Sequence, residues 1–175
     1  MLTLMLLRHG KAEPGNPRIA DKDRPLADRG HTDAARMGAW IVESDLVPDL
    51  IVCSTARRTR ETLAQVQPVL EAKLGRALPV SFDAAVYEAT TARLLTVIRR
   101  TPGTPRRLML IGHNPGFEDL SNDLKREADA VAAERIARKY PTCGLAVLDL
   151  PIDAWAQTAP RSARLTHFLA PRYLS

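Results

Sequence analysis

Two histidines in this chain each stand at the end of an apolar run of strand length. The first run is Leu2-Thr-Leu-Met-Leu-Leu-Arg8-His9-Gly10-Lys11, and the second is Arg107-Leu-Met-Leu-Ile-Gly112-His113-Asn114-Pro115-Gly116. A buried parallel strand takes apolar side chains on both faces, whereas a cation and an imidazole need water or an anionic partner. The break in polarity therefore marks the sheet edge, where α/β proteins keep their chemistry. Two imidazoles at two strand ends can share one pocket. Ser54-Thr55-Ala56-Arg57-Arg58-Thr59-Arg60-Glu61-Thr62 follows the short apolar run Leu50 to Cys53 and reads as a helix start, whose unpaired amides and dipole attract phosphate. Imidazoles, arginines at a helix start and one nearby acid, Glu88, are equipment for moving a phosphoryl group through a covalent intermediate. An attacking imidazole must be unprotonated, with its other nitrogen held as a donor by a neighbouring carbonyl. Nearby arginines keep it neutral and bind the nonbridging oxygens bidentately.

The elements that position these residues alternate. Strands are expected at Leu2 to Leu7, Pro48 to Cys53, Pro79 to Phe82, Arg107 to Gly112 and Leu145 to Leu150. Helices are expected over Thr32 to Glu43, from Ser54 to Leu74 with Gly75 ending it, over Thr90 to Arg100, from an Asn114 cap with Pro115 in the first turn, and over Glu127 to Lys139. His31 reads as a capping or surface residue, and the segment through His167 to Ser175 as an edge strand and tail. Ala12 to Ala27, rich in Pro, Gly, Asp and Arg, reads as a loop at the pocket mouth. There Arg24 is either a substrate contact or a surface ion pair with Asp21 or Asp23. Gly10 lets the backbone turn or approach a ligand closely.

Length and composition narrow the function classes. A chain of 175 residues fits one domain, 1–175, with a core that needs no disulfide or metal. The net charge of +5 is interspersed with acids and aromatic residues are scarce, so no nucleic-acid surface is expected, though a modest positive field draws in an anionic substrate. No apolar run is long enough to span a membrane, and the first apolar stretch lacks the basic start and small-residue cleavage site of a signal peptide. Cys53 and Cys143 are far apart without metal-ligand spacing, which is expected of a reduced, cytoplasmic protein.

Taken together, these motifs make the chain similar to the histidine phosphatase superfamily, the phosphoglycerate mutase-like group, and within it to the small SixA-like phosphohistidine phosphatase branch. The resemblance runs over Leu7 to Ala12, Arg24-Pro25-Leu26 with Arg29-Gly30, Ser54 to Thr62, and Ile111 to Pro115. It implies a three-layer αβα sandwich around a central, mostly parallel sheet. It also implies that His9 becomes the phosphohistidine, that Arg8 and His113 bind phosphate, and that Arg58 completes the pocket without metal or cofactor. The family's helix-start motif, Ser-Pro-x-x-Arg-Ala-x-x-Thr, places its arginine at Arg58 and its threonine at Thr62 when counted from Ser54. Thr55 and Thr59 depart from it. Glu88 falls where mutases and ester phosphatases keep a general acid.

An alkoxide leaving group resembles hydroxide, the conjugate base of water with a pKa of about 15.7, whereas imidazole titrates near about 6.5 and needs far less acid assistance. The shortness of the chain implies an open pocket for a phosphorylated side chain, such as that of a histidine phosphotransfer domain. The expected activity is phosphohistidine protein phosphatase. The alternatives are a small-phosphoester phosphatase using Glu88 and a phosphate or phosphopeptide binding module. A cysteine phosphatase needs Cys-x5-Arg, and Cys53 to Arg58 leaves only four intervening residues. A metal site on His9 and His113 lacks a clear third ligand.

Overall fold

The computed structural model describes residues Met1–Ser175. Its strands are β1 (Leu2–Arg8), β2 (Leu50–Cys53), β3 (Val80–Phe82), β4 (Arg107–Gly112), β5 (Lys125–Ala128), β6 (Leu145–Leu150) and β7 (Ala163–Leu169). Its helices are α1 (Asp28–Glu43), α2 (Arg57–Leu74), α3 (Thr91–Arg99), α4 (Gly116–Leu124) and α5 (Ala130–Arg138). The strands form one sheet in the order β3-β2-β4-β1-β6-β7-β5. Only β6 runs against the rest, being antiparallel to both β1 and β7, so the sheet is mostly parallel as expected.

Strand periodicity divides the core into two layers. Leu4 and Leu6 of β1 and Leu108 and Leu110 of β4 pack on one face, under Leu94 and Ile98 of α3, Phe117 and Leu120 of α4 and Ile136 of α5. Met5, Leu7, Met109 and Ile111 pack on the other, under Met37 and Ile41 of α1 and Leu63, Val66 and Leu70 of α2. Both faces of β1 and β4 are buried, which is why their sequences read as continuous apolar runs. This is the three-layer αβα arrangement. No helix is long and apolar enough to cross a membrane.

Several expected elements need correction. Glu127 and Ala128 are not helical: Lys125–Ala128 pairs with β7 in parallel, and Asp129 then caps α5 by accepting from the amides of Val131 and Ala132. The strand through His167 is not at an edge, because β5 covers its outer side. Tertiary pairing overrides local propensity in both places. Asn114 is not the cap residue of α4; Pro115 holds that position, and the Asn114 carboxamide accepts the amide of Glu118 at 3.2 Å. Helix α1 begins at Asp28, ahead of the expected Thr32. His31 in its first turn lies 3.2 Å from the Gln65 amide nitrogen of α2, so it ties two helices together.

The loop after β1 is pinned against the start of α1. A Cβ on Gly10 would stand 2.7 Å from the Gly30 carbonyl oxygen, and one on Gly30 would stand 2.3 Å from that of Lys11. Gly30→Ala therefore forces the backbone beside His9 to move. The expected result is a loss of about 1–3 kcal/mol in urea unfolding, the range for overpacking.

Candidate active site

The order β2-β4-β1 brings three strand ends side by side. Arg8 is in register with Gly112 and Cys53 with Ile111, so the next residues, His9, His113 and Ser54, emerge together. The His9 amide donates to the Gly112 carbonyl and the Ser54 amide to that of Ile111, both at 3.0 Å. The two imidazole centroids lie 5.3 Å apart, and both residues are buried. Thr62 of α2 fixes the first loop, since its hydroxyl accepts the Gly10 amide at 3.0 Å and donates to the Arg58 carbonyl at 2.7 Å.

His9 Nδ1 lies 2.7 Å from the Gly10 carbonyl oxygen, an arrangement that requires Nδ1 to carry the proton and leaves a lone pair on Nε2. Burial, followed by the neighbouring charges of Arg58, Arg8 and Arg24, lowers its pKa to about 4 against the opposing pull of the Gly10 bond. His113 is lowered to about 3, first by burial and then by His9 and Arg58. Its Nδ1 faces Arg58 Nη2 at 3.3 Å and its Nε2 faces Ser54 Oγ at 2.8 Å.

The arginines take different positions. Arg8 gives Nη1 to the Tyr140 carbonyl at 2.9 Å, while its buried Nε has no hydrogen-bond partner. Arg58 is 3% exposed. Its Nη1 donates to the Asp21 carbonyl at 2.8 Å, and its Nη2 lies 2.9 Å from Glu88 Oε1 and 3.1 Å from Asp21 Oδ2. Arg57 is exposed and pairs with Glu61 at 3.1 Å. Arg24 bonds within its own loop, to the Glu13 carbonyl and, at 3.1 Å, to Asp21 Oδ1.

Glu88 is half-exposed, 3.7 Å from His113 Nδ1, and in left-handed backbone with φ 46°. Such a backbone costs a non-glycine residue about 1–2 kcal/mol, and the bond to buried Arg58 helps hold it there. A cleft of about 440 Å³ runs from Glu88 and His113 between the starts of α3 and α4, past Thr90 and Asp119. Asp21 and Tyr87 belong to the same cluster, with the Tyr87 hydroxyl 2.5 Å from Asp21 Oδ2 and its ring edge-on to His113 at 5.3 Å. Sequence reasoning gave Asp21 only as a partner for Arg24 and gave Tyr87 no role, because nothing in the loop composition sets Asp21 apart from Asp23. Cys53 is buried with its thiol pushed up to about 12, so no thiolate is offered beside these arginines. The arrangement thus presents the unprotonated Nε2 of His9 near the buried Arg58 guanidinium, which suits attack on an anionic electrophile.

A model described as the histidine phosphatase superfamily (branch 1) matches residues 4–94. The chain belongs to this superfamily. This histidine phosphatase is 36% identical over 169 residues to an uncharacterized protein of Mycobacterium tuberculosis, covering 95% of this chain and 100% of that one. Among solved structures it is similar to a candidate phosphohistidine phosphatase SixA from Nakamurella multipartitia, at 28% identity, a TM-score of 0.80, and coverage of 97% of this chain and 96% of that chain. A second, from Agrobacterium tumefaciens, gives 29% identity and a TM-score of 0.78 over 97% and 98% of the two chains. Membership and these neighbours make the protein a phosphatase.

Two outcomes follow for this phosphatase. Replacing Arg58 by Ala removes a guanidinium that both carboxylates share, so kcat/KM should fall by about 10²–10³, whereas Arg57→Ala should change it less than about twofold. Both histidines bind a proton less readily when folded than in the unfolded chain, where imidazole titrates near 6.5. Their contribution to stability is complete above about pH 6.5 and is lost as pH falls through about 4 for His9 and about 3 for His113. NMR titration of the ring protons should give midpoints far below 6.5, with the urea midpoint declining over the same interval.

Proposed function

We propose that this chain is a metal-independent phosphohistidine protein phosphatase that works through a phosphohistidine on His9. The observation that carries the reading is the 2.7 Å bond from His9 Nδ1 to the Gly10 carbonyl in a buried, guanidinium-flanked setting, which keeps Nε2 unprotonated at neutral pH. The Nε2 lone pair forms the new bond to phosphorus, and the bond from phosphorus to the leaving atom breaks with its electron pair on that atom. Water then attacks phosphorus and His9 leaves as neutral imidazole. Arg8, whose buried Nε is unpartnered, binds the phosphoryl oxygens together with Arg58 and His113.

The substrate assignment draws on the two SixA neighbours, whose names carry that activity and which match nearly the full chain. It also draws on the leaving-group chemistry, because imidazole departs with little acid help. A second reading, a small-molecule phosphomonoesterase, is favoured by the carboxylate of Glu88 at the pocket mouth, 3.7 Å from His113. We place the protein in the cytoplasm, acting on a phosphorylated signalling protein such as a histidine phosphotransfer domain, consistent with its two unpaired, buried cysteines.

Side-by-side turnover of a histidine-phosphorylated phosphotransfer domain and a panel of phosphosugars separates the two readings. His9→Ala should abolish activity on the phosphoprotein. Glu88→Gln should retain it within about fivefold, against the loss of about 10²–10⁴ expected where a general acid is required. Preference of the wild type for phosphosugars, with that larger dependence on Glu88, would establish the second reading instead.

A further inference from the structure

Attack of one imidazole on another's phosphoryl group is a near-symmetric exchange. The bond forms at His9 Nε2 and the bond to the substrate ring breaks, its electron pair remaining on the departing nitrogen. If the distal nitrogen of the substrate ring already carries a proton, that ring leaves as neutral imidazole and no proton needs to move. The positive charge passes from the phosphorylated substrate ring to phosphorylated His9, whose distal Nδ1–H rests on the Gly10 carbonyl. The substrate ring needs an equivalent acceptor, and two half-exposed carboxylates, Glu88 and Asp21, meet Arg58 at the pocket mouth.

We propose that Asp21 is that acceptor, and that it selects phosphorylated imidazole over phosphoesters. The proposal rests on the phosphohistidine reading. Asp21 is held from several sides: its carbonyl takes Arg58 Nη1, its Oδ2 takes Arg58 Nη2 and the Tyr87 hydroxyl, and its Oδ1 takes Arg24 Nη1 at 3.1 Å. A carboxylate offers about four acceptor positions, and three side-chain donors leave one open on a side chain that is 49% exposed. The Tyr87 bond, with Arg24 and Arg58, holds its pKa at about 2. It therefore stays ionised and cannot protonate an alkoxide, but it can hold the N–H of an imidazolium.

Its position fits the role. From His9 the contacts run to His113 at 5.3 Å, from His113 to Tyr87 at 5.3 Å, and from Tyr87 to Asp21. Asp21 thus meets the Arg58 guanidinium directly and the His113 ring through Tyr87, with its carboxylate half-exposed at the rim of the same cluster. A fixed negative charge on the phosphate-binding guanidinium also disfavours phosphoesters that carry a carboxylate next to the phosphate.

The test compares phosphoimidazole with p-nitrophenyl phosphate, whose phenolate leaves as an anion without any N–H, for wild type, Asp21→Ala and Asp21→Asn. The expected result is that Asp21→Ala lowers the ratio of kcat/KM for phosphoimidazole over the aryl phosphate by about 10- to 100-fold, the equivalent of one charge-assisted hydrogen bond. Asp21→Asn, which keeps the shape and loses the charge, should lie between it and wild type, and decides the matter if the alanine variant melts early. An equal fall on both substrates would mean that Asp21 only positions Arg58, and it would overturn the proposal, as would an unchanged ratio. A wild type that hydrolyses the aryl phosphate and leaves both phosphoimidazole and a histidine-phosphorylated protein intact would overturn the phosphohistidine reading itself, before any variant is measured.

Discussion

A slip of one residue between β1 and β4 would turn every side chain of β1 to the opposite face of the sheet. The register is specified because both faces are buried, with Leu4 and Leu6 under one helix layer and Met5 and Leu7 under the other. That pairing sets Arg8 opposite Gly112 and leaves His9 and His113 as neighbours just past the sheet edge. The separation of the two rings is thus fixed by apolar packing well below the site. Thr62 and the Gly10–Gly30 contact then carry the same constraint to α2 and α1.

The electrostatics follow from how little water reaches this edge. Two imidazoles and Arg58 are nearly enclosed, and burial favours the neutral form of each ring while the guanidinium stays charged. An enclosed guanidinium without acceptors would be strongly destabilising. Asp21 and Glu88 supply them, one from the loop after β1 and one from the loop before α3, and Glu88 adopts left-handed backbone in doing so. The same carboxylates, each about half-exposed, put negative charge on the solvent side of the cluster. The cluster is therefore polarised, with Arg58 against the buried rings and the acids toward solvent.

Much of this was legible in the chain itself, because the signals were strong and local. Apolar runs ending in Arg8-His9-Gly10 and Gly112-His113 report buried strands that stop at reactive residues, and alternation of strands with helices implies a mostly parallel layered sheet. Gly75 after Leu74 marks an end that the backbone requires, with Gly75 in left-handed conformation. Where a signal depended on a distant partner it failed. Lys125–Ala128 is a strand only because β7 lies beside it, and an alanine-rich stretch does not announce that.

The sequence by itself determined the chemistry on offer: which side chains stand at strand ends, which arginine falls on the motif, and that an imidazole among cations would be unprotonated. Tertiary structure alone decided which groups meet them. It turned Arg58 inward and Arg57 to solvent, spent Arg24 on its own loop, and recruited Asp21 and Tyr87. The physical reason is range. Burial patterns and caps are written in neighbouring residues, whereas the partner of a charge is whichever acceptor the folded loops bring within hydrogen-bond distance.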